Sequence, residues 1–125
     1  MTIDTIRSYC LNKPFTEETL PFGPDVLVFK VAGKIFLLLP LDTDSLQFNA
    51  KCDPERAQEL RDAHSCILPG YHMNKAKWNT ILVDGSLKQK QLLELIDHSY
   101  EQVVYALPKK IQKQIFPDEH ASAVR

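Results

Sequence analysis

Val26-Leu27-Val28-Phe29-Lys30-Val31 and Lys34-Ile35-Phe36-Leu37-Leu38-Leu39 are two apolar runs, rich in β-branched and aromatic residues, separated by Ala32-Gly33. Two such runs around a two-residue break read as a β-hairpin. Pro40 ends the second strand and Asp42-Thr43-Asp44 makes a turn. From Ser45 to Lys51 the chain alternates Leu46, Phe48 and Ala50 with Gln47, Asn49 and Lys51, which predicts a third strand with one wet face. Trp78 to Val83 reads as a further strand, closed by Asp84-Gly85.

Helical signals surround these strands. Thr2 can cap a first helix in which Ile3, Ile6 and Cys10 or Leu11 recur at helical spacing, and Pro14 stops it. Phe15 to Asp25, with two prolines and Gly23, reads as an extended loop. Asp53-Pro54 is an N-cap followed by proline at the first helical position, so a helix should run to about Ala63 with Ala57 and Leu60 inward. Ser86 and Gln89 have capping-box spacing for the longest helix, which keeps Leu92, Leu93, Ile96, Tyr100, Val103, Val104 and Leu107 on one face. Pro108 opens a last short helix through Ile115, and a frayed tail follows from Phe116.

These elements add up to a mixed α/β fold of the α+β kind, an antiparallel sheet with helices packed on one face. The 125 residues suit a single domain over 1–116 with a flexible tail over 117–125. No apolar run approaches the roughly 20 residues of a membrane span and no signal peptide opens the chain, so a cytoplasmic protein without membrane contact is expected. The odd cysteine count, Cys10, Cys52 and Cys66, argues against a disulfide framework and for reduced, partly buried thiols.

Several enzyme classes find no support. The four glycines, Gly23, Gly33, Gly70 and Gly85, all fall at turns, so no phosphate-cradling loop and no nucleotide cofactor is implied. Cys52, His64, Cys66 and His72 match no usual zinc spacing, and no metal is expected. Cys66 and His64 are only two residues apart and lack a third orienting group, so no catalytic pair emerges. Glu94 and Asp97 fall on the face of the long helix that carries His98 and Glu101, where they solvate it.

The net charge of −1 excludes a strongly basic nucleic-acid protein, yet the charge is unevenly spread. Residues 1–68 carry net −3 and residues 69–125 net +2, and between Pro69 and Lys90 four lysines face only Asp84. Pro69 to Ser86 also interleaves His72, Asn74, Lys75 and Lys77 with Tyr71 and Trp78, a mixture suited to phosphates, sugars and bases. Lys30 and Lys34 bracket the hairpin turn and Lys51 ends the third strand, so cations can rim one end of the sheet. The plainer readings are solubility lysines, an Asn74 bonded to its own turn, and a Trp78 that packs.

As a set in this order, Pro21-Phe22-Gly23, Val28-Phe29-Lys30-Val31, Gly33-Lys34-Ile35-Phe36, Tyr71 to Trp78, Leu82-Val83-Asp84-Gly85-Ser86 and Ser99-Tyr100 resemble the MmcQ/YjbR-like family of small bacterial proteins. The resemblance covers residues 1 to about 115. It implies a frataxin-class fold and a double-wing DNA-binding motif whose wings are β-hairpins. Lys30 and Lys34 would then sit at one wing, and His72, Asn74, Lys75, Lys77 and Trp78 near the other. Iron chemistry does not come with the likeness, because Asp4 is the only acid of the first helix.

The expected function is therefore non-enzymatic DNA binding. Lys30, Lys34, Lys51, Lys75 and Lys77 would contact phosphates, Asn74 and His72 a groove edge or sugar, and Trp78 would support the loop. The alternative is an interaction domain for a protein or small ligand without nucleic-acid affinity.

Overall fold

In the computed structural model, which describes residues 1–70 and 73–117, the hairpin of Val26 to Leu39 is the middle of a larger sheet. Strands β2 (Val26–Val31) and β3 (Lys34–Pro40) pair antiparallel, and Ala32 and Gly33 at the turn both have positive φ, 50° and 79°. That is the backbone sense of a type I′ turn, which matches the twist of the strands it joins. The remaining strands are β1 (Thr16–Thr19), β4 (Gln47–Lys51), β5 (Ile67–Pro69) and β6 (Trp78–Leu82). They lie in the order β1-β2-β3-β4-β6-β5, antiparallel throughout.

The described residues also form four helices: α1 (Ile3–Leu11), α2 (Pro54–Ala63), α3 (Gln89–Val104) and α4 (Lys109–Ile115). The alternate residues Leu27, Phe29, Leu37, Leu39, Phe48 and Ile81 form one floor of the core, and Ile6, Cys10, Leu92, Ile96, Val104 and Ile115 cover it. Phe29 pairs with Leu37 and Lys30 with Ile35, so Phe36 is the extra residue of a β-bulge. Phe36 and Leu37 are both fully buried, and the Phe36 ring meets Tyr100 edge to face at 5.2 Å.

Several sequence expectations are corrected. The expected loop after Pro14 contains the edge strand β1, whose Thr-Glu-Glu-Thr composition hides it; Glu18 is fixed by Arg7 Nε at 2.8 Å. β5 is missed for a different reason: Ile67-Leu68-Pro69 is apolar but only three residues long and ends on proline, so it reads as the break before Gly70, yet it forms the other sheet edge. The long helix starts at Gln89 rather than at a Ser86 cap: the Lys88 N–H donates to Gln91 Oε1 at 2.9 Å, and the Ser86 N–H donates to Asp84 Oδ1. Asp97 is no mere solvating charge, since it accepts from the Tyr9 hydroxyl at 2.7 Å and from Lys13 Nζ at 2.5 Å. Phe116, expected at the start of the frayed tail, stacks edge-on to Tyr100 at 6.2 Å; residues 118–125 lie outside the described residues.

The second face of the sheet carries the row Thr19, Val28, Leu38, Asn49, Thr80 and Leu68, one residue from each strand in register. That face was expected to be wet along β4, yet Asn49 is buried and holds the Thr80 hydroxyl at 2.5 Å.

Candidate functional site

Antiparallel pairing decides which lysines meet. The end of β2, the start of β3, the end of β4 and the start of β6 all lie at one end of the sheet, as the pairs Val31 with Lys34 and Lys51 with Trp78 require. Lys30, Lys34 and Lys51 are thereby gathered with Lys77, which directly precedes β6. Lys34 and Lys51 line one depression of about 300 Å3 together with Ile35, Val103, Ala106 and Leu107. Among the described residues the ion pairs are Arg7 with Glu18 and Lys13 with Asp97, so none of these lysines is neutralised by a salt bridge. Lys30 has Glu17 opposite it on β1, which offsets part of its charge.

Backbone bonds hold this end in place. The Lys51 N–H donates to Ser99 Oγ at 2.7 Å, and the Cys52 N–H donates to the Lys77 carbonyl at 2.8 Å. Lys34 and Lys77 are exposed, whereas Lys30 and Lys51 are half-buried along their stems.

The segment before β6 is more structural than its composition suggested. Asn74 Oδ1 accepts from the Ala76 N–H at 3.0 Å, an Asx turn, and the Asn74 carbonyl accepts from Lys77 and Trp78. Lys75 reaches back to the Gly70 carbonyl at 3.4 Å, and its own carbonyl accepts from Arg61 Nη2 at 2.9 Å. Trp78 is half-buried against Gly70, where an added Cβ would lie 2.8 Å from Trp78 Cβ. His72 lies outside the described residues. Of the expected contact groups, Lys34 and Lys51 share one depression and Lys30 and Lys77 lie at the same end of the sheet, while Asn74, Lys75 and Trp78 help to build the turn.

The thiols are poor nucleophiles. Cys10, Cys52 and Cys66 are all buried, and burial raises each thiol pKa, that of Cys10 to about 12. His98 receives the Asp53 N–H at Nε2 and faces Arg56 Nη1 at Nδ1, both at 3.2 Å. Burial first and the Arg56 charge second hold its pKa below the usual imidazole value.

Sequence reasoning does not single out Phe22, Val26, Leu38 or Asn49, which line a concavity on the sheet's second face. The available signal is the unbroken apolar run Ile35 to Leu39, since a strand with one solvated face would alternate.

A six-stranded antiparallel sheet with four helices on one face and a lysine-lined end defines a small α+β domain. The chain belongs to the YjbR family, whose profile matches residues 11–102. It is 35% identical over 113 residues to the uncharacterized protein YjbR of Escherichia coli, covering 90% of this chain and 96% of that one. The uncharacterized protein YbdF of Escherichia coli O157:H7 is 36% identical over 114 residues, covering 91% and 93%. Among solved structures, the crystal structure of Deinococcus radiodurans protein DR2400 superposes with a TM-score of 0.86 at 39% identity, over 91% of this chain and 87% of that one. A Pseudomonas syringae protein superposes with a TM-score of 0.69 at 30% identity, over 79% and 96%. No helix among the described residues is long and apolar enough to cross a membrane.

Proposed function

We propose that this protein binds duplex DNA in the cytoplasm as a non-enzymatic module, through the lysine-lined end of its sheet. The observation that carries the reading is the depression shared by Lys34 and Lys51, at the sheet end that also holds Lys30 and Lys77, with none of the four in a salt bridge among the described residues. Unneutralised ammonium groups on a fixed rim engage phosphates and release counterions, which gives affinity without reading sequence. With a net charge of −1 the whole molecule contributes little attraction, so binding depends on this rim.

A mobility-shift titration of a short duplex tests it. If about four phosphates are neutralised, log affinity falls against log salt with a slope near −3.6. Absence of binding at about 50 mM salt, or binding indifferent to salt, rejects the reading.

A further inference from the structure

The second face of the sheet holds a groove of about 540 Å3, lined by Phe22, Val26, Ile35, Leu38, Pro40 and Met73, with Thr43, Gln47 and Asn49 as its polar groups. No Asp, Glu, Lys, Arg or His is among the described residues that line it. Its volume is that of a small-molecule site, and its composition, an apolar wall with few polar groups, is that of one too. The depression at the lysine-lined end is smaller, about 300 Å3, and carries the charges of Lys34 and Lys51.

Asn49 supplies the decisive detail. It is only 8% exposed, and its Oδ1 accepts from the Thr80 hydroxyl, which fixes the orientation of the amide. Its amide nitrogen makes no hydrogen bond among the described residues. The enclosed polar atoms left without a partner among the described residues are Thr16 Oγ1 and Asn79 Oδ1, so Asn49 Nδ2 is not sealed off but open to the groove, where it can donate to whatever fills it. Gln47, the residue facing Leu82 across β4 and β6, lies two positions away on the same face and adds a second amide.

We infer that this groove binds an uncharged, flat, largely apolar small molecule bearing a carbonyl-type acceptor, which takes its hydrogen bond from Asn49 Nδ2. The described lining carries no charge, which disfavours an ionic ligand, because none of those residues would offset its desolvation. Phe22, 65% exposed, forms one lip and can close on a ring. The site is separate from the proposed DNA contacts and stands or falls without them.

Prodan, a neutral naphthalene ketone whose emission moves to the blue on leaving water, is a suitable probe, with ketone-free dimethylaminonaphthalene as its partner compound. Saturable one-to-one binding of prodan is expected. Phe22→Ala should weaken both probes at an unchanged melting temperature, because that side chain is exposed. Asn49→Leu should lower the preference for prodan over the ketone-free compound by about five-fold, a ratio that loss of folded protein does not move. Non-saturable binding, equal affinities in Phe22→Ala, or an unchanged ratio in Asn49→Leu would overturn the proposal. So would a dimer in sedimentation that Leu38→Arg dissociates, since a second copy would then occupy the groove.

Discussion

The Ser99 hydroxyl of α3 donates to the Phe36 carbonyl at the bulge in β3 and accepts from the Lys51 N–H, so one side chain joins the helix to two strands. β3 pairs with β4 through Leu37 with Ala50 and Leu38 with Asn49, and Ser99 takes over where that ladder stops. Both backbone groups lose their partner in Ser99→Ala, and water reaches a fully buried position poorly. A loss of about 2–3 kcal/mol is expected in urea unfolding. A change within a few tenths of a kcal/mol would show that the hydroxyl is dispensable.

Ala32 occupies the left-handed region at φ 50°, where its Cβ is strained and asparagine or glycine is favoured. Ala32→Asn should stabilise the protein by about 0.5–1 kcal/mol. Thermal melts of the variant beside wild type read this directly, and a lowered midpoint would count against the turn assignment.

Gly70→Ala should destabilise by about 1–3 kcal/mol, because the new methyl meets Trp78 Cβ at 2.8 Å and the Trp78 carbonyl at 3.0 Å. The Gly70 N–H also donates to that carbonyl at 2.8 Å, so the two segments cannot separate without breaking a bond. Tryptophan fluorescence during denaturation reports on this packing, Trp78 being the one Trp of the chain.

Acid should weaken the fold through His98. Its folded pKa lies below the ordinary value of about 6.5, so the unfolded chain binds the proton more readily. The contribution is present above pH 6.5 or so and is lost as pH falls through the folded value. Its neighbours are Arg56, which opposes protonation, and Asp53 and Glu101, which favour it. His98→Gln should flatten the dependence of the urea midpoint between about pH 7.5 and 5.5; an unchanged slope would assign it elsewhere.

Lys34→Ala with Lys51→Ala should remove about two units from the salt slope of DNA binding, roughly 0.9 for each phosphate no longer neutralised. Lys75→Ala should change it little, because Lys75 Nζ is turned toward the Gly70 carbonyl. The reverse ranking would move the DNA-facing surface to the segment before β6.

Elements whose signal is local are legible in the chain. Asp53 caps α2 with its side chain on the Arg56 N–H at 3.0 Å and Pro54 sits at the first helical position, as the dipeptide predicts. β2 and β3 follow from composition, since runs of Val, Ile, Leu and Phe fit a pleated and buried surface. β1 is not legible because an edge strand needs no apolar pattern, and β5 because three residues ending on proline are too short to show one; both are held by ladder bonds to β2 and β6, which composition does not record.

The hairpin, the capped α2, the long amphipathic α3 and the family all follow from the order of residues alone. Periodicity and capping act within a few residues, and these features require nothing further. Which side chains share a surface emerges only when the sheet is assembled. Lys34 and Lys51 meet because β3 and β4 run antiparallel, and Asn49 reaches the groove floor because register places it between Leu38 and Thr80. Strand order and register are long-range pairings, set by how the sheet closes over α3 rather than by any short stretch of chain.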